Sequence, residues 1–190
     1  MASDAPLVVV VTGPPASGKS SIARVIADGL PAPLLAKDTI KETLFDGLGT
    51  GDPAWSKRLG IATYGVLFQL AEEQVHARRS CVLEANFDHN EASAQLAAIQ
   101  LEHGFRALQI VCTASREVLI ERFKERSGSR HPGHIDDERL EDVIESIDAG
   151  RWRALELDGE SIEVDTTDWS TVDVDALLER ARAAASRAPA

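Results

Sequence analysis

The chain has 190 residues, a formal net charge of −11, 44% hydrophobic residues and 27% charged ones. That balance suits a globular fold with its own core and argues against disorder throughout. The acidic excess argues against a general nucleic-acid binder, which must neutralise phosphates, although a local basic pocket stays compatible with it. No apolar run reaches the roughly 18 residues that span a bilayer. The apolar run at 7–11 is short and lacks a basic flank, so no signal peptide is expected there.

Strand-like and helix-like segments alternate along the chain. Residues 7–12 form a continuous β-branched run, the signature of a buried central strand. A helix is expected over 18–29, where Ile22, Val25 and Ile26 recur at helical spacing. Leu34–Ala36 reads as a short second strand, followed by a helix over 39–46 with Asp38 placed to cap it. After a Gly-rich loop at 47–53 comes a long helix over 54–78. Its Tyr64 and Phe68 share a face and are read as core packing rather than a substrate platform. The third strand is expected at 81–85, then a helix over 91–102, capped by Asn90 and ended by Gly104. A fourth strand at 106–112 precedes a helix over 115–127 and a loop at 128–134. An acidic helix over 136–148, a fifth strand at 161–165 and a helix over 172–186 close the chain. The order implies an α/β fold with a mostly parallel sheet covered on both faces, in one domain. Cys81 and Cys112 lie in apolar runs without metal or redox spacing, so they are read as buried thiols in a reducing, cytoplasmic setting.

The sharpest motif is Gly13, Pro14, Pro15, Ala16, Ser17, Gly18, Lys19 and Ser20, which fits G-x-x-x-x-G-K-[ST]. With Ser21 just behind it, this run forms the expected site for ATP. Its glycines let successive N–H groups turn toward phosphate oxygens. Lys19 sets a cation on the β- and γ-phosphates, and Ser20 offers a hydroxyl to Mg²⁺. The helix behind aims its positive dipole end at the anion.

On these residues the chain resembles the small P-loop kinases, the group that holds chloramphenicol phosphotransferase, zeta-toxin-like kinases and the 5′-kinase domains of polynucleotide kinases. The resemblance follows segment order over most of the chain. It implies a P-loop NTPase three-layer sandwich whose five-stranded parallel sheet has the order 2-3-1-4-5, with ATP and Mg²⁺ as cofactors. It also implies an Asp beside the γ-phosphate with a basic residue three positions on, which maps onto Asp38 and Lys41. Asp38 would orient or deprotonate the acceptor hydroxyl, or serve only as a helix cap. The acid and polar pair after the third strand maps onto Glu84 and Asn86, Glu84 serving Mg²⁺ or substrate. Lid arginines closing on the phosphates map onto Arg122, Arg126 and Arg130, within a lid at about 122–135. Arg122 and Arg126 could equally be a solvated face paired with Glu121 and Glu125. The loop at Thr166 would lie by the adenine, and the helices at about 38–78 would shape the acceptor pocket.

The expected activity is transfer of the γ-phosphoryl of ATP to a hydroxyl of a small metabolite, sugar, nucleoside or antibiotic. The expected partners are ATP and that acceptor, with no membrane and no nucleic acid, and the expected state is monomer or dimer. The rivals are a nucleotide switch with a protein partner and a polynucleotide 5′-hydroxyl kinase. His131 and His134 stand in the lid-like loop without an assigned role.

Overall fold

A computed structural model describes residues 5–134 and 140–186. Its centre is β1 (Leu7–Thr12), all six residues of which are buried. The valine run is explained by position: β1 pairs in parallel with β3 (Cys81–Glu84) on one side and β4 (Arg106–Thr113) on the other. β2 (Leu34–Ala36) and β5 (Gly159–Asp165) complete the order β2-β3-β1-β4-β5, all parallel. This is the P-loop NTPase α/β fold, in the strand order that the resemblance implies.

Side chains alternate across the sheet and so feed two cores. Val8 and Val10 meet Leu67, Phe68, Val75, Leu96 and Ile99 from α3 (Pro53–His76) and α4 (His89–His103). Val9 and Val11 meet Ile22, Ile26, Leu177 and Ala181 from α1 (Lys19–Gly29) and α7 (Val174–Ser186). The edge strand β5 is covered less and alternates between exposed and half-buried residues.

Two caps differ from expectation. α2 (Lys37–Leu48) begins at the very end of β2, so Asp38 falls inside its first turn and caps nothing. There its charge still suits the helix dipole, and its side chain is released for other partners. α4 is capped by Asp88, whose carboxylate accepts from the N–H groups of Asn90 and Glu91; Asn90 itself lies within the helix. α3 is capped by Asp52, with Pro53 in the first turn, where a missing N–H costs nothing. Two other helices follow as α5 (Arg116–Ser127) and α6 (Leu140–Asp148), with a 3₁₀ turn at 132–134 between them. Residues 136–139 of the expected acidic helix lie outside the described residues. Leu155 is fastened to β4 by the buried Gln109 amide, which both donates to its carbonyl and accepts from its N–H.

Cys81 and Cys112 are free and buried, and burial pushes both thiols up to about 12. Such thiols are inert core groups at neutral pH. Among the described residues, no helix is long and apolar enough to cross a membrane.

Candidate active site

All five parallel strands end at one edge, and the segments leaving them meet there. The P-loop leaves β1 and runs into α1. Gly13 has φ +139°, and a Cβ there would lie 2.1 Å from the Cys112 carbonyl oxygen. Gly18 has φ +77°, and its Cβ would lie 2.5 Å from the Trp169 ring. Both glycines are therefore demanded by space as well as by conformation. The Ser17 hydroxyl is buried and has no hydrogen-bond partner among the described residues. An orphaned buried polar group inside a glycine cradle fits a phosphate.

Lys19 is buried and donates to the Pro14 carbonyl at 2.7 Å. Burial lowers its pKa, and the nearby Glu84 carboxylate works the other way. Glu84 ends β3, opposite Val11 of β1 and Ala36 of β2. Burial raises its pKa, while the Lys19 charge and a hydrogen bond with Ser20 pull it back. Ser20 is exposed and Ser21 beside it as well. Asn86, expected to contact substrate, lines the cavity but spends its amide on the Gly13 carbonyl at 2.7 Å. It thereby buttresses the start of the P-loop.

Asp38 lies between two cations, with Lys37 Nζ at 3.3 Å and Arg130 Nη2 at 2.5 Å. Burial works to raise its pKa, but the Lys37 and Arg130 charges outweigh that and hold it well below the usual carboxylate range. Lys41 is buried; its ammonium donates to Ser56 Oγ at 2.9 Å and lies 5.1 Å from the Phe45 ring centre. Ser56 passes its own hydrogen to the Gly133 carbonyl. Lys41 thus links α2, α3 and the 131–134 segment.

The three expected lid arginines separate. Arg122 donates to the carbonyls of Thr166 and Thr167, at 2.9 and 3.2 Å, and so braces the loop after β5. Thr166 is buried and donates to the carbonyls of Ser17 and Thr113, so it supports the P-loop from behind. Arg126, stacked over Phe123, and Arg130 both face the cavity between α2 and α5.

That cavity holds about 690 Å³. Pro15 of the P-loop, Asp38, Tyr64, Phe68, Glu91 and Arg130 are among the residues that line it. Tyr64, Phe68 and Phe87 pack ring against ring at 6.0–6.1 Å, so Tyr64 and Phe68 pack on the core as expected while both also line the cavity. Gly60 and Gly65 also line it from inside α3, at a helix cost of about 1 kcal/mol each. At Gly65 a Cβ would meet nothing within 4 Å. At Gly60 a Cβ would make ordinary contact with the Lys41 side chain, at 3.7 Å, so neither glycine is there to relieve a clash.

Sequence reasoning missed Trp169, Trp152 and Phe123. Trp169 covers Gly18 while 41% exposed, yet it stands some 150 positions away, and no spacing could join the two.

The comparisons agree with this geometry. A candidate kinase from Chloroflexus aurantiacus is 36% identical over 94% of this chain and 98% of its own, with a TM-score of 0.86. A sugar kinase from Janibacter sp. shares the fold at 17% identity, over 94% of this chain and 92% of its own, with a TM-score of 0.53. No curated relative matches the chain. The model of the AAA domain matches residues 8–149. With that match spanning the P-loop, Asp38, Glu84 and the lid arginines, the chain belongs to the AAA domain family, as a P-loop kinase-like protein.

Proposed function

We propose that this protein transfers the γ-phosphoryl group of ATP to a hydroxyl of a small molecule. The observation that carries this reading is the cavity: it begins at the P-loop, passes Asp38 and is large enough for a small metabolite. A nucleotide switch needs room for a water, not a chamber walled by two helix glycines. The charge of −11 speaks against a polynucleotide acceptor.

Nucleotide binding would draw Lys19 from the Pro14 carbonyl onto the β- and γ-phosphates and give Ser17 an acceptor. Ser20 and Glu84 fit Mg²⁺, since an exposed hydroxyl already bonded to a carboxylate is a hard oxygen pair. When bound there, the ion neutralises phosphate charge. The acceptor oxygen attacks the γ-phosphorus, its bond to the β,γ-bridging oxygen breaks, and ADP leaves. Asp38 is a weak base, so its main work is to accept a hydrogen bond and aim the hydroxyl. The proton leaves the hydroxyl late, as a loose transition state permits, and passes to the Asp38 carboxylate as the new P–O bond forms. Arg126 and Arg130 stabilise charge on the transferring group. We read the chain as one domain, with a lid at about 122–135 and an acceptor-side region at about 38–78. Two unpaired thiols favour a cytoplasmic setting.

The test is ADP release with Mg·ATP, alone and against a panel of sugars, nucleosides and hydroxyl-bearing antibiotics. An acceptor that raises turnover, and no longer does so in Asp38→Asn, is the expected result. A flat response with equal slow hydrolysis in both proteins would favour the switch.

A further inference from the structure

The two histidines of the 131–134 segment have different fates. His131 stacks on Phe45 and pairs with Asp46 at the surface. His134 is buried, with 3% of its side chain exposed. Its position is determined from several sides. Phe45 lies edge-on to its ring, at 6.2 Å between centres. The preceding Gly133 packs so closely on Phe45 that a Cβ would come within 2.4 Å of that ring. The Gly133 carbonyl is tied to Ser56, and its N–H donates to His131 Nδ1.

His134 Nε2 then meets two groups of opposite demand. Arg130 Nη2, which can only donate, lies 3.0 Å away, and Glu42 Oε1, an acceptor, lies 2.8 Å away. A neutral imidazole satisfies one of them at a time. Bare at Nε2 it accepts from Arg130; protonated there it donates to Glu42. Among the described residues, the titratable groups facing it are Lys37, Asp38, Lys41 and Glu42 of α2, and Arg130, just before its segment. Burial first, then the Arg130 charge, push its pKa down to about 3, so the ring is neutral at physiological pH. Arg130 Nη2 also contacts the Asp38 carboxylate. His134 and Asp38 therefore hold the guanidinium jointly, where the acceptor hydroxyl is expected to approach.

We propose that His134 is a positioning residue for Arg130: with Nε2 bare it accepts from the guanidinium and, together with Asp38, keeps it aimed where the transferring phosphoryl is expected, at rest and during transfer. This rests on the phosphotransferase reading above. The ring keeps its one proton on Nδ1 throughout and stays uncharged.

The experiment needs no acceptor. Calorimetry measures Mg·ADP binding with and without aluminium fluoride, which completes a mimic of the phosphoryl in transfer. The unaltered chain is expected to bind more tightly with the fluoride present. His134→Ala should cut that gain about tenfold, the worth of one charge-assisted hydrogen bond, and leave Mg·ADP alone within about twofold. Arg130→Lys should cut the gain as well, and the double variant should lose no more of it than either alone. His134→Gln, which restores an acceptor, should recover most of the gain and covers the case in which the alanine variant does not fold. Nitrogen NMR of the unaltered chain should find His134 Nε2 bare at rest and still bare in the fluoride complex. Equal weakening of both complexes, additive losses, or an Nε2 proton in either state would overturn the inference alone. Absence of any fluoride gain in the unaltered chain would overturn the phosphotransferase reading and the inference with it.

Discussion

The nucleotide side and the acceptor side of this site are built in opposite ways. The P-loop is one continuous run, Gly13–Ser20, whose work is done by backbone and by a lysine resting on its own loop. Its shape is demanded by two glycines that no other residue could replace without a clash. The acceptor side is assembled from α2, α3, α4, α5 and the 131–134 segment, held by side-chain pairs such as Arg130–Asp38 and Lys41–Ser56. A contiguous motif tolerates little change. An assembled chamber can be reshaped one wall at a time.

The largest effects should fall where that contrast is sharpest. Lys19→Met removes the cation from the phosphates, and ADP release at saturating Mg·ATP should drop about a thousandfold. Asp38→Asn keeps the shape but weakens alignment of the hydroxyl; acceptor-stimulated turnover should fall at least a hundredfold, with little change in the KM for ATP. If Asp38→Asn were the more sensitive to ATP concentration, the division into two sides would fail. Gly18→Ala should weaken ADP binding and lower thermal stability by roughly 1–3 kcal/mol, through the positive φ and the Trp169 ring.

A milder test uses acid. The folded His134 has its pKa depressed, so the unfolded chain takes up a proton that the native one refuses. Stability should fall as pH drops from about 6.5 toward 3, and His134→Gln should flatten that limb of the melting curve. Asp38, also depressed, adds a loss at still lower pH. The smallest effect is the most telling. Gly65→Ala should stabilise the fold by about 0.5–1 kcal/mol, since α3 is helical there and nothing blocks the new methyl. It should nevertheless raise the KM for the acceptor. Glycine to alanine would then be harmful on one side of the site and stabilising on the other.

How much of this was legible beforehand follows the same division. The valine run announced a central strand because a strand covered on both faces needs apolar residues at every position. The P-loop announced its chemistry because phosphate recognition by backbone requires those residue types at that spacing. Helix starts were less legible. Asp38 has the composition of a cap, but β2 passes into α2 without a turn and the helix takes it in. Asn90 was displaced by Asp88, two residues earlier, because either side chain can cap and the chain's exit from β3 selects between them.

Local pattern alone therefore settled the sheet's central strand and the nucleotide loop, since both depend on neighbours in sequence. Tertiary structure alone decided that Asp38 sits against Arg130, that Arg122 and Thr166 brace loops rather than face the cavity, and that Trp169 lies on Gly18. Those contacts join residues 44 to 151 positions apart, and their distances are set by how helices pack on the sheet, which no local periodicity encodes.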